Sequence, residues 1–308
     1  MMSIELRDIT DWYLPESDPS LSVISPGEMT VDEVVDGALR DDARALAALC
    51  ATHGDRPDFT VIYKGISYRG HQEQTVAGAV FILRRLRASP PKLDQVPSGI
   101  AHLLTDAHVN NGGLIVVCGG PGQGKSTTAA ATVVERLEKH GGICWAIEDP
   151  PEMPLHGRHG RGVCYQIDTQ GDFSLALKGV ARSFPAVSPA LLFLGEVRDE
   201  DSAIQLFQAA TKGVLVITTV HAPGLMGGLH RLITLAGGEA DTKYDLLAAN
   251  LRLMVHQRIE HGVARFEALV SRNSQSPVAS LVRRGRIDAL ATELESQQQK
   301  LRLGQLRF

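Results

Sequence analysis

The sequence predicts an α/β fold, in which helices cover both faces of a mostly parallel sheet. Five short and almost wholly apolar runs carry this prediction, at 113–118, 142–148, 162–167, 190–196 and 213–220. Helical patterns separate the runs, and a glycine-rich loop directly follows the first of them. Apolar strands that alternate with helices are typical of a sheet whose neighbouring strands run in the same direction.

The residues before this region follow a different pattern. Thr30 and Glu33 have the spacing of a capping box and precede an apolar periodicity, which predicts a helix over about 31–50. Residues 59–70 predict two short strands around a central glycine, and residues 78–87 predict a further strand that ends in arginines. We therefore expect a smaller α+β region in this part of the chain.

A proline-rich stretch separates the two patterns. Residues 88–99, ASPPKLDQVPSG, contain three prolines and little periodicity, as a domain boundary does. Far downstream, residues 263–270 alternate like a strand, and residues 287–303 have the pattern of an amphipathic helix. We expect this last helix to pack on its own domain.

The composition excludes several classes of protein. The 308 residues are 44% hydrophobic and 21% charged, and the net charge of −4 gives no basic field, so we expect no direct contact with nucleic acid. No apolar run approaches the roughly 20 residues of a bilayer span, and the first residues lack a secretory signal, so we expect a cytoplasmic protein. The four cysteines lie far apart, mostly in apolar runs, which predicts buried free thiols.

The glycine-rich loop has the pattern of a phosphate-binding loop. Gly119, four residues, Gly124, Lys125 and Ser126 match G-x-x-x-x-G-K-[ST] between a strand-like run and a helix-forming run. Glycines let backbone N–H groups converge on phosphate oxygens, and the following helix points its positive end at the same anion. We expect the loop to bind ATP with Mg²⁺ through Gly119, Gly120, Pro121, Gly122, Gln123, Gly124, Lys125, Ser126 and Thr127.

Acidic and histidine side chains follow three further strand-like runs. Glu148 and Asp149 end the second run, Glu196 ends the fourth after a row of apolar residues, and His221 follows the fifth. Because ligands bind beyond the carboxyl ends of strands in an open α/β sheet, we expect these groups to face the phosphate loop. Hydrolysis of a nucleoside triphosphate needs such carboxylates to hold Mg²⁺ and to orient water.

Four boxes in one order resemble the motor ATPases of type II and type IV secretion and of type IV pili, the GspE/PilT family. They are the Walker A box GGPGQGKSTT, the aspartate box AIEDPPE, the Walker B box LGEVRD and the histidine box VLVITTVHA. The resemblance covers roughly residues 59–270. It implies a RecA-like P-loop ATPase domain with a smaller α+β PAS-like N-terminal domain.

The resemblance implies four segments. Residues 1–90 correspond to the PAS-like domain, 91–111 to a linker and first helix, 112–272 to the RecA-like ATPase domain, and 273–308 to a C-terminal helical tail.

Upstream of the boxes, YRGH and GAVFILR are similar to a family segment that ends the PAS-like domain. This similarity places Arg69 and Arg84 where the family has arginines that reach a neighbouring subunit's nucleotide, a task suited to the guanidinium fork. Downstream similarities single out Arg231 and the pair Gln257–Arg258.

The resemblance further implies a homohexamer that works on an inner-membrane platform protein or a secretion channel. The chain would be cytoplasmic and peripheral at the inner membrane through these partners only. Its compact length resembles the pilus-retraction and type IVB secretion branch.

The residues suggest a division of labour at the site. Lys125 and Ser126 would hold the triphosphate and Mg²⁺, and Glu148 would polarise the attacking water. Glu196 would hold Mg²⁺ through its water shell, although the sequence leaves the roles of the two glutamates exchangeable. His221 would couple the γ-phosphate to domain movement, and both arginines would neutralise charge on the transferred phosphoryl.

Two other functions stay open at this point. A P-loop kinase acting on a small molecule would need an acceptor pocket and an arginine-rich lid. A nucleotide-regulated assembly scaffold with little turnover is the other, since Val214 stands where the family often has a second histidine.

The basic, glycine-rich residues 156–162 could contact phosphate or nucleic acid, but they predict a solvated loop, because no aromatic residues are interleaved for base stacking.

Overall fold

A computed structural model describes residues 5–25, 32–33, 37–54, 56–89, 92–169, 171–185, 189–197, 199–237 and 240–308. The chain divides into two compact units, and each is described by itself. The first unit contains the described residues up to 89 together with 149–154, and the second contains the described residues from 92 to 148 and from 155 to 308.

The first unit is an antiparallel sheet with one helix. Its six strands have the spatial order β3-β2-β1-β6-β5-β4, and every pairing is antiparallel. The elements are β1 (Asp11–Pro15), β2 (Val23–Ser25), β3 (Asp32–Glu33), α1 (Gly37–Ala51), β4 (Asp58–Tyr63), β5 (Ile66–Thr75) and β6 (Gly78–Arg85).

One face of this sheet packs against α1. Trp12, Phe59 and Phe81 from the strands and Leu46 from α1 are all buried in one apolar core. Strand residues alternate between the two faces, so the neighbours of the buried residues form a second face, on which Tyr13, for example, is exposed.

The predicted helix over 31–50 is wrong at its start. Asp32 and Glu33 form an edge strand that pairs with Val23 and Ile24, and the helix is described only from Gly37 onward. Backbone pairing with β2 therefore overrides the capping-box pattern at Glu33, and Thr30 lies outside the described residues.

The second unit is built on an eight-stranded sheet with the order β14-β13-β7-β12-β11-β8-β10-β9. The six central strands pair in parallel, and β9 and β14 pair antiparallel at the two edges. The strands are β7 (Gly113–Gly119), β8 (Gly142–Glu148), β9 (Gly157–His159), β10 (Gly162–Asp168), β11 (Ala190–Leu194), β12 (Leu215–His221), β13 (Leu251–Glu260) and β14 (Val263–Val270).

Helices accompany this sheet along the chain. A large apolar core joins strand residues to residues of the flanking helices, as the near-continuous apolar runs require. The helices are α2 (Ser98–Leu104), α3 (Lys125–His140), α4 (Phe173–Val180), α5 (Glu200–Thr211), α6 (Leu225–Leu235), α7 (Ala240–Asn250), α8 (Pro277–Arg283) and α9 (Leu290–Arg302). No helix in the described part of the chain is long and apolar enough to cross a bilayer.

A buried arginine ties α3 to the segment before the sheet. The Arg136 guanidinium donates to the backbone oxygens of Leu104 at 2.9 Å and Asp106 at 3.2 Å, and to the side chain of Asn110. Burial lowers the pKa of Arg136 to about 10. These contacts fix the far end of the helix that begins at the phosphate loop.

The C-terminal helix packs on the second unit. Gln297 of α9 accepts from the backbone N–H of Val270 at 2.7 Å and donates to the Val270 oxygen at 3.0 Å. Both polar groups of this buried amide are thereby satisfied at the end of β14.

The four cysteines are free and buried, as predicted. Burial raises the pKa of both Cys50 and Cys118 to about 12. These thiols therefore behave as small apolar side chains rather than as nucleophiles or metal ligands.

The predicted loop at 156–162 is wrong in part. Residues 157–159 form β9, which pairs antiparallel with the start of β10. Gly160 makes the turn at a φ of +55°, and a Cβ at that position would lie 2.8 Å from the Cα of Glu138. Pairing and close packing on α3 thus order a stretch whose residue types alone predict a loop.

Candidate active site

The sequence-predicted groups of the second unit meet at one edge of the sheet. They follow four neighbouring parallel strands, which lie in the order β7-β12-β11-β8. The loop 120–124 follows β7, His221 ends β12, Glu196 lies two residues after β11, and Glu148 ends β8. The structure therefore brings the phosphate loop, both glutamates and the histidine to the same carboxyl edge.

The phosphate loop joins β7 to α3 without a break. Gly122 and Gly124 have φ values of +69° and +76°, in the left-handed region that favours glycine, and α3 begins at Lys125. The 16-residue helix thus starts at the loop itself, where its unpaired N–H groups and positive end favour an anion. Ser126 and Thr127 lie half-buried in its first turn.

Lys125 is buried and contacts the histidine of the neighbouring strand. Its Nζ donates to the Gly120 oxygen at 2.8 Å and lies 3.2 Å from Nδ1 of His221. Because an ammonium group can only donate, Nδ1 must accept and the ring proton is assigned to Nε2. That Nε2 lies 3.4 Å from Oε1 of Glu196, so Lys125, His221 and Glu196 form one connected chain.

The two glutamates have different surroundings. Glu148 is 4% exposed, and Gln166 on β10 donates from Nε2 to its Oε1 at 2.7 Å. The Glu196 side chain is 21% exposed and lies beside His221, which is itself 44% exposed. A carboxylate buried to the extent of Glu148 requires hydrogen bonds to its oxygens, whereas Glu196 keeps access to solvent.

Close backbone packing shapes the Walker B turn. A Cβ on Gly195 would lie 3.0 Å from Cγ of Glu148, tighter than an ordinary contact. Thr219 of β12 donates from Oγ1 to the Gly195 oxygen at 2.6 Å. Gly195 and Thr219 thus fix the backbone that carries Glu196.

Strand β13 supports the phosphate loop. A Cβ on Gly119 would lie 2.4 Å from the backbone oxygen of Gln257, and Gln123 accepts from the backbone N–H of Ile259 at 2.5 Å. A Cβ on Gly124 would meet Nε2 of Gln257 at 2.9 Å. The close approach of the β13 backbone therefore requires glycine at position 119, and the left-handed φ together with the Gln257 amide favours glycine at position 124.

The supporting roles of Gln166, Thr219 and Gln257 do not follow from the sequence pattern. The family resemblance singles out Gln257 without a role, Gln166 is not among the predicted site residues, and Thr219 is part of an apolar run. The signal for each lies in the pairing of strands, such as the β8–β10 register that sets Gln166 beside Ala146 and Asp168 beside Glu148.

The two predicted arginines lie in the first unit and are register partners on β5 and β6. Arg84 donates from Nε to Asp11 at 2.8 Å, which raises the pKa of Arg84, although its side chain is 71% exposed. Arg69 lies 3.8 Å from a carboxylate oxygen of Glu152. The structure therefore presents both guanidinium groups on one side of the N-terminal sheet, each beside a partly exposed acid.

Magnesium fits the residues at the sheet edge. In the part of the chain that the structure describes, no three His, Cys, Asp or Glu side chains cluster so as to hold a metal by themselves. Mg²⁺ is commonly held by one or two protein oxygens, nucleotide phosphates and waters. The Ser126 hydroxyl in the first turn of α3 and the part-exposed carboxylate of Glu196 are oxygen donors of that kind.

Two curated proteins align with most of the chain. YggR of Escherichia coli K12 is 29% identical over 277 residues, which is 87% of this chain and 81% of that protein. The type IV pilus ATPase PilU of Pseudomonas aeruginosa is 29% identical over 217 residues, 68% of this chain and 54% of PilU.

Two solved structures share the fold. The pilus retraction motor PilT, crystallised with ADP, superposes with a TM-score of 0.73 at 20% identity, covering 95% of this chain and 87% of PilT. The ATPase DotB of Legionella pneumophila gives a TM-score of 0.70 at 19% identity, covering 96% and 84%. The predicted fold class, an α/β RecA-like domain with a smaller N-terminal domain, is confirmed.

The family resemblance seen in the four boxes is also confirmed. The sequence pattern of the family "Type II/IV secretion system protein" matches residues 74–283, which is more than half of the chain. The chain belongs to the type II/IV secretion system protein family.

Proposed function

We propose that this chain is an ATP-hydrolysing motor that powers retraction of a type IV pilus or drives a type II or type IV secretion machine. One observation carries the proposal: four neighbouring parallel strands bring a phosphate loop, two glutamates and a histidine to one sheet edge. Membership in a family whose relatives include the pilus ATPase PilU supports it.

The loop and the start of α3 would bind the nucleotide. Backbone N–H groups of 119–127 and the positive end of α3 favour the phosphates, and Lys125 would move onto their β- and γ-oxygens. Ser126 and Glu196 would hold Mg²⁺, the latter partly through water. When bound, this ion neutralises charge on the phosphate oxygens.

Glu148 is the residue we assign to orienting the attacking water. Its carboxylate is buried and held by an amide, so it has a fixed position and little competing solvent. Glu196 contacts His221 and is better exposed, which suits a metal ligand acting through water. The environments of the two acids thus support an order that the sequence left open.

His221 would couple nucleotide chemistry to movement. It contacts both Lys125, which would bind the γ-phosphate, and Glu196, which would bind the metal. A change at the γ-phosphate would therefore affect both contacts of the His221 imidazole, the one to Lys125 and the one to Glu196. Arg69 and Arg84 would neutralise charge on the transferred phosphoryl group, from the same or a neighbouring protomer.

The assembly we propose is a homohexamer located in the cytoplasm at the inner membrane. It would act on a membrane platform protein or secretion channel, and nucleic acid would not be a direct partner. We propose the retraction or type IVB secretion branch, and the fold shared with the pilus retraction motor PilT supports the first of these.

Phosphate release by the purified chain tests the enzymatic part. The motor should release phosphate from ATP and Mg²⁺ without any acceptor, and Lys125→Ala should abolish release. A kinase would be nearly idle without its acceptor, and a scaffold would assemble with ATP but show negligible turnover. Light scattering with and without ATP measures the hexamer.

Deletion of the gene tests the cellular part. Surface pili, twitching, effector secretion and conjugation should be scored together in the deletion strain. Loss of twitching with pili retained indicates retraction, and loss of secretion alone indicates a secretion motor. A strain normal in all four assays contradicts the proposal.

A further inference from the structure

Gln166 makes two directional contacts at the candidate site. Its Nε2 donates to Oε1 of Glu148 at 2.7 Å, and its Oε1 accepts from the backbone N–H of Leu155 at 3.1 Å. Since a backbone N–H can only donate, the Leu155 contact assigns the amide oxygen to one side and the NH₂ group to the other. The amide therefore has one orientation in which both contacts are satisfied.

The sheet places this amide beside the acid. Strands β8 and β10 pair in parallel, with Gln166 opposite Ala146 and Asp168 opposite Glu148. Gln166 thus reaches forward along the strands by two residues to meet a carboxylate that is 4% exposed. Its other end is anchored to Leu155, which is itself fully buried.

The two oxygens of Glu148 have different neighbours. Oε1 accepts from Gln166, whereas Oε2 lies on the side of Gly195, whose constructed Cβ would be 3.7 Å from it. Gly195 directly precedes Glu196, so this side belongs to the Walker B turn. One oxygen is therefore held by the amide, while the other faces the turn that carries the second acid.

We propose that Gln166 is a positioning residue for Glu148, and this rests on the role proposed for Glu148 in ATP hydrolysis. The neutral amide holds Oε1 without exchanging a proton with it, and Oε2, on the Walker B side, is the oxygen that orients water. Fixing a base within a fraction of an ångström is worth a large factor in rate, because small displacements of reacting groups are costly. Gln166 should affect turnover rather than ATP affinity.

Two variants of Gln166 test the proposal in the full-length chain. Gln166→Met keeps the length and removes the donor, and Gln166→Glu keeps the shape but sets a second carboxylate against Glu148. Each should lower kcat for ATP by about 10- to 100-fold, as loss of a supporting hydrogen bond does, with the KM and Kd for ATP little changed. Using both variants keeps the test valid if one fails to fold.

Gln297→Met is the matched control. Gln297 is also a buried glutamine with two backbone contacts, but it lies in α9, away from the sheet edge that carries Glu148. Its variant should lower the melting temperature and leave kcat of the folded protein unchanged. If the Gln166 variants behave like this control, Gln166 is structural only and the proposal is overturned.

Glu148→Gln separates failure of this proposal from failure of the proposed function. If Glu148→Gln is inactive and both Gln166 variants keep the kcat of the parent, the inference on Gln166 is wrong and the role of Glu148 stands. If Glu148→Gln hydrolyses ATP normally, the role of Glu148 fails first, and the proposal on Gln166 fails with it.

Discussion

The carboxyl edge of the parallel sheet and the face of the N-terminal sheet opposite to α1 hold their charged groups in different ways. At the sheet edge Lys125 and Glu148 are buried, and their partners come from strands held in register. On the N-terminal sheet Arg69 and Arg84 are exposed and pair with acids across surface contacts. Because ion pairs with an exposed member contribute little to stability, we expect these arginines to exchange partners at small cost, whereas the groups at the sheet edge are preorganised.

The largest effect tests the preorganised edge. Glu148→Gln removes the proposed base while keeping shape and the hydrogen-bonding reach of the side chain. We expect kcat to fall roughly 10²- to 10⁴-fold, the usual contribution of a general base, with ATP binding retained. Steady-state phosphate release and binding of a fluorescent ATP analogue measure the two quantities. Normal turnover in this variant would show that the buried acid is not part of the chemistry.

The next effect tests the arginine face. Arg84→Ala should lower kcat by about 10²-fold, as loss of one donor to a developing charge does, with a small loss of stability from the broken contact with Asp11. Arg85→Ala is the control, because Arg85 is the next residue of β6 and its side chain points to the opposite face of the sheet. Equal kcat values for the two variants would show that Arg84 has no role in ATP hydrolysis.

A smaller effect concerns the packing behind the phosphate loop. Gly119→Ala would force a Cβ to within 2.4 Å of the Gln257 oxygen, so we expect destabilisation by about 1–3 kcal/mol. A Cβ on Gly120 would meet its nearest neighbour at 3.6 Å, an ordinary contact, and should change stability by less than about 0.5 kcal/mol. Urea unfolding monitored by circular dichroism measures both. Similar changes in the free energy of unfolding for the two variants would mean that β13 shifts to accommodate the extra methyl group.

The smallest effect belongs to a histidine of the N-terminal sheet. His71 lies 3.1 Å from Asp58 and 3.3 Å from Glu73, and these hydrogen bonds raise the pKa of His71. A raised pKa stabilises the fold below the ordinary value of 6.5, and this stabilisation is lost as pH rises through the folded-state pKa. His71→Gln should therefore cost a few tenths of a kcal/mol near pH 6 and less near pH 8.5.

Fluorescence of Trp12 can follow this unit alone. The chain has two tryptophans, Trp12 in the first unit and Trp145 in the second, so Trp145→Phe leaves one reporter. Unfolding in urea is then compared, with and without the His71→Gln substitution, at both pH values. A cost that does not depend on pH would assign the effect to packing rather than to charge.

The parallel strands were predictable because both of their faces are buried. Each strand appears in the sequence as a short apolar run, and the polar side chains that follow parallel strands must lie at the carboxyl edge of the sheet. This is why the positions of Glu148, Glu196 and His221 at that edge could be predicted. Strand β13 was not predicted, because it directly follows Asn250, the last residue of α7, with no glycine or proline between them, and because it ends in charged residues. No local pattern separates such a helix from the strand after it.

Side-chain contacts that depend on the register between strands could not be predicted from the sequence either. The bond between Gln166 and Glu148 exists only because β10 pairs with β8 in one alignment. Likewise, 157–159 become a strand through pairing with β10, although glycine and basic residues have low strand propensity. Tertiary pairing, rather than composition, decides both features.

The contacts between β13 and the phosphate loop have a mechanical consequence. Gln257 lies against Gly119 and Gly124, and the backbone N–H of Ile259 donates to Gln123, so we expect the loop and the β13–β14 hairpin to move together. A force applied to the hairpin should therefore reach the backbone amides of the loop, which we propose bind phosphate. We therefore expect the affinity for nucleotide to respond to strain at the hairpin, without any change in the residues proposed to touch the nucleotide.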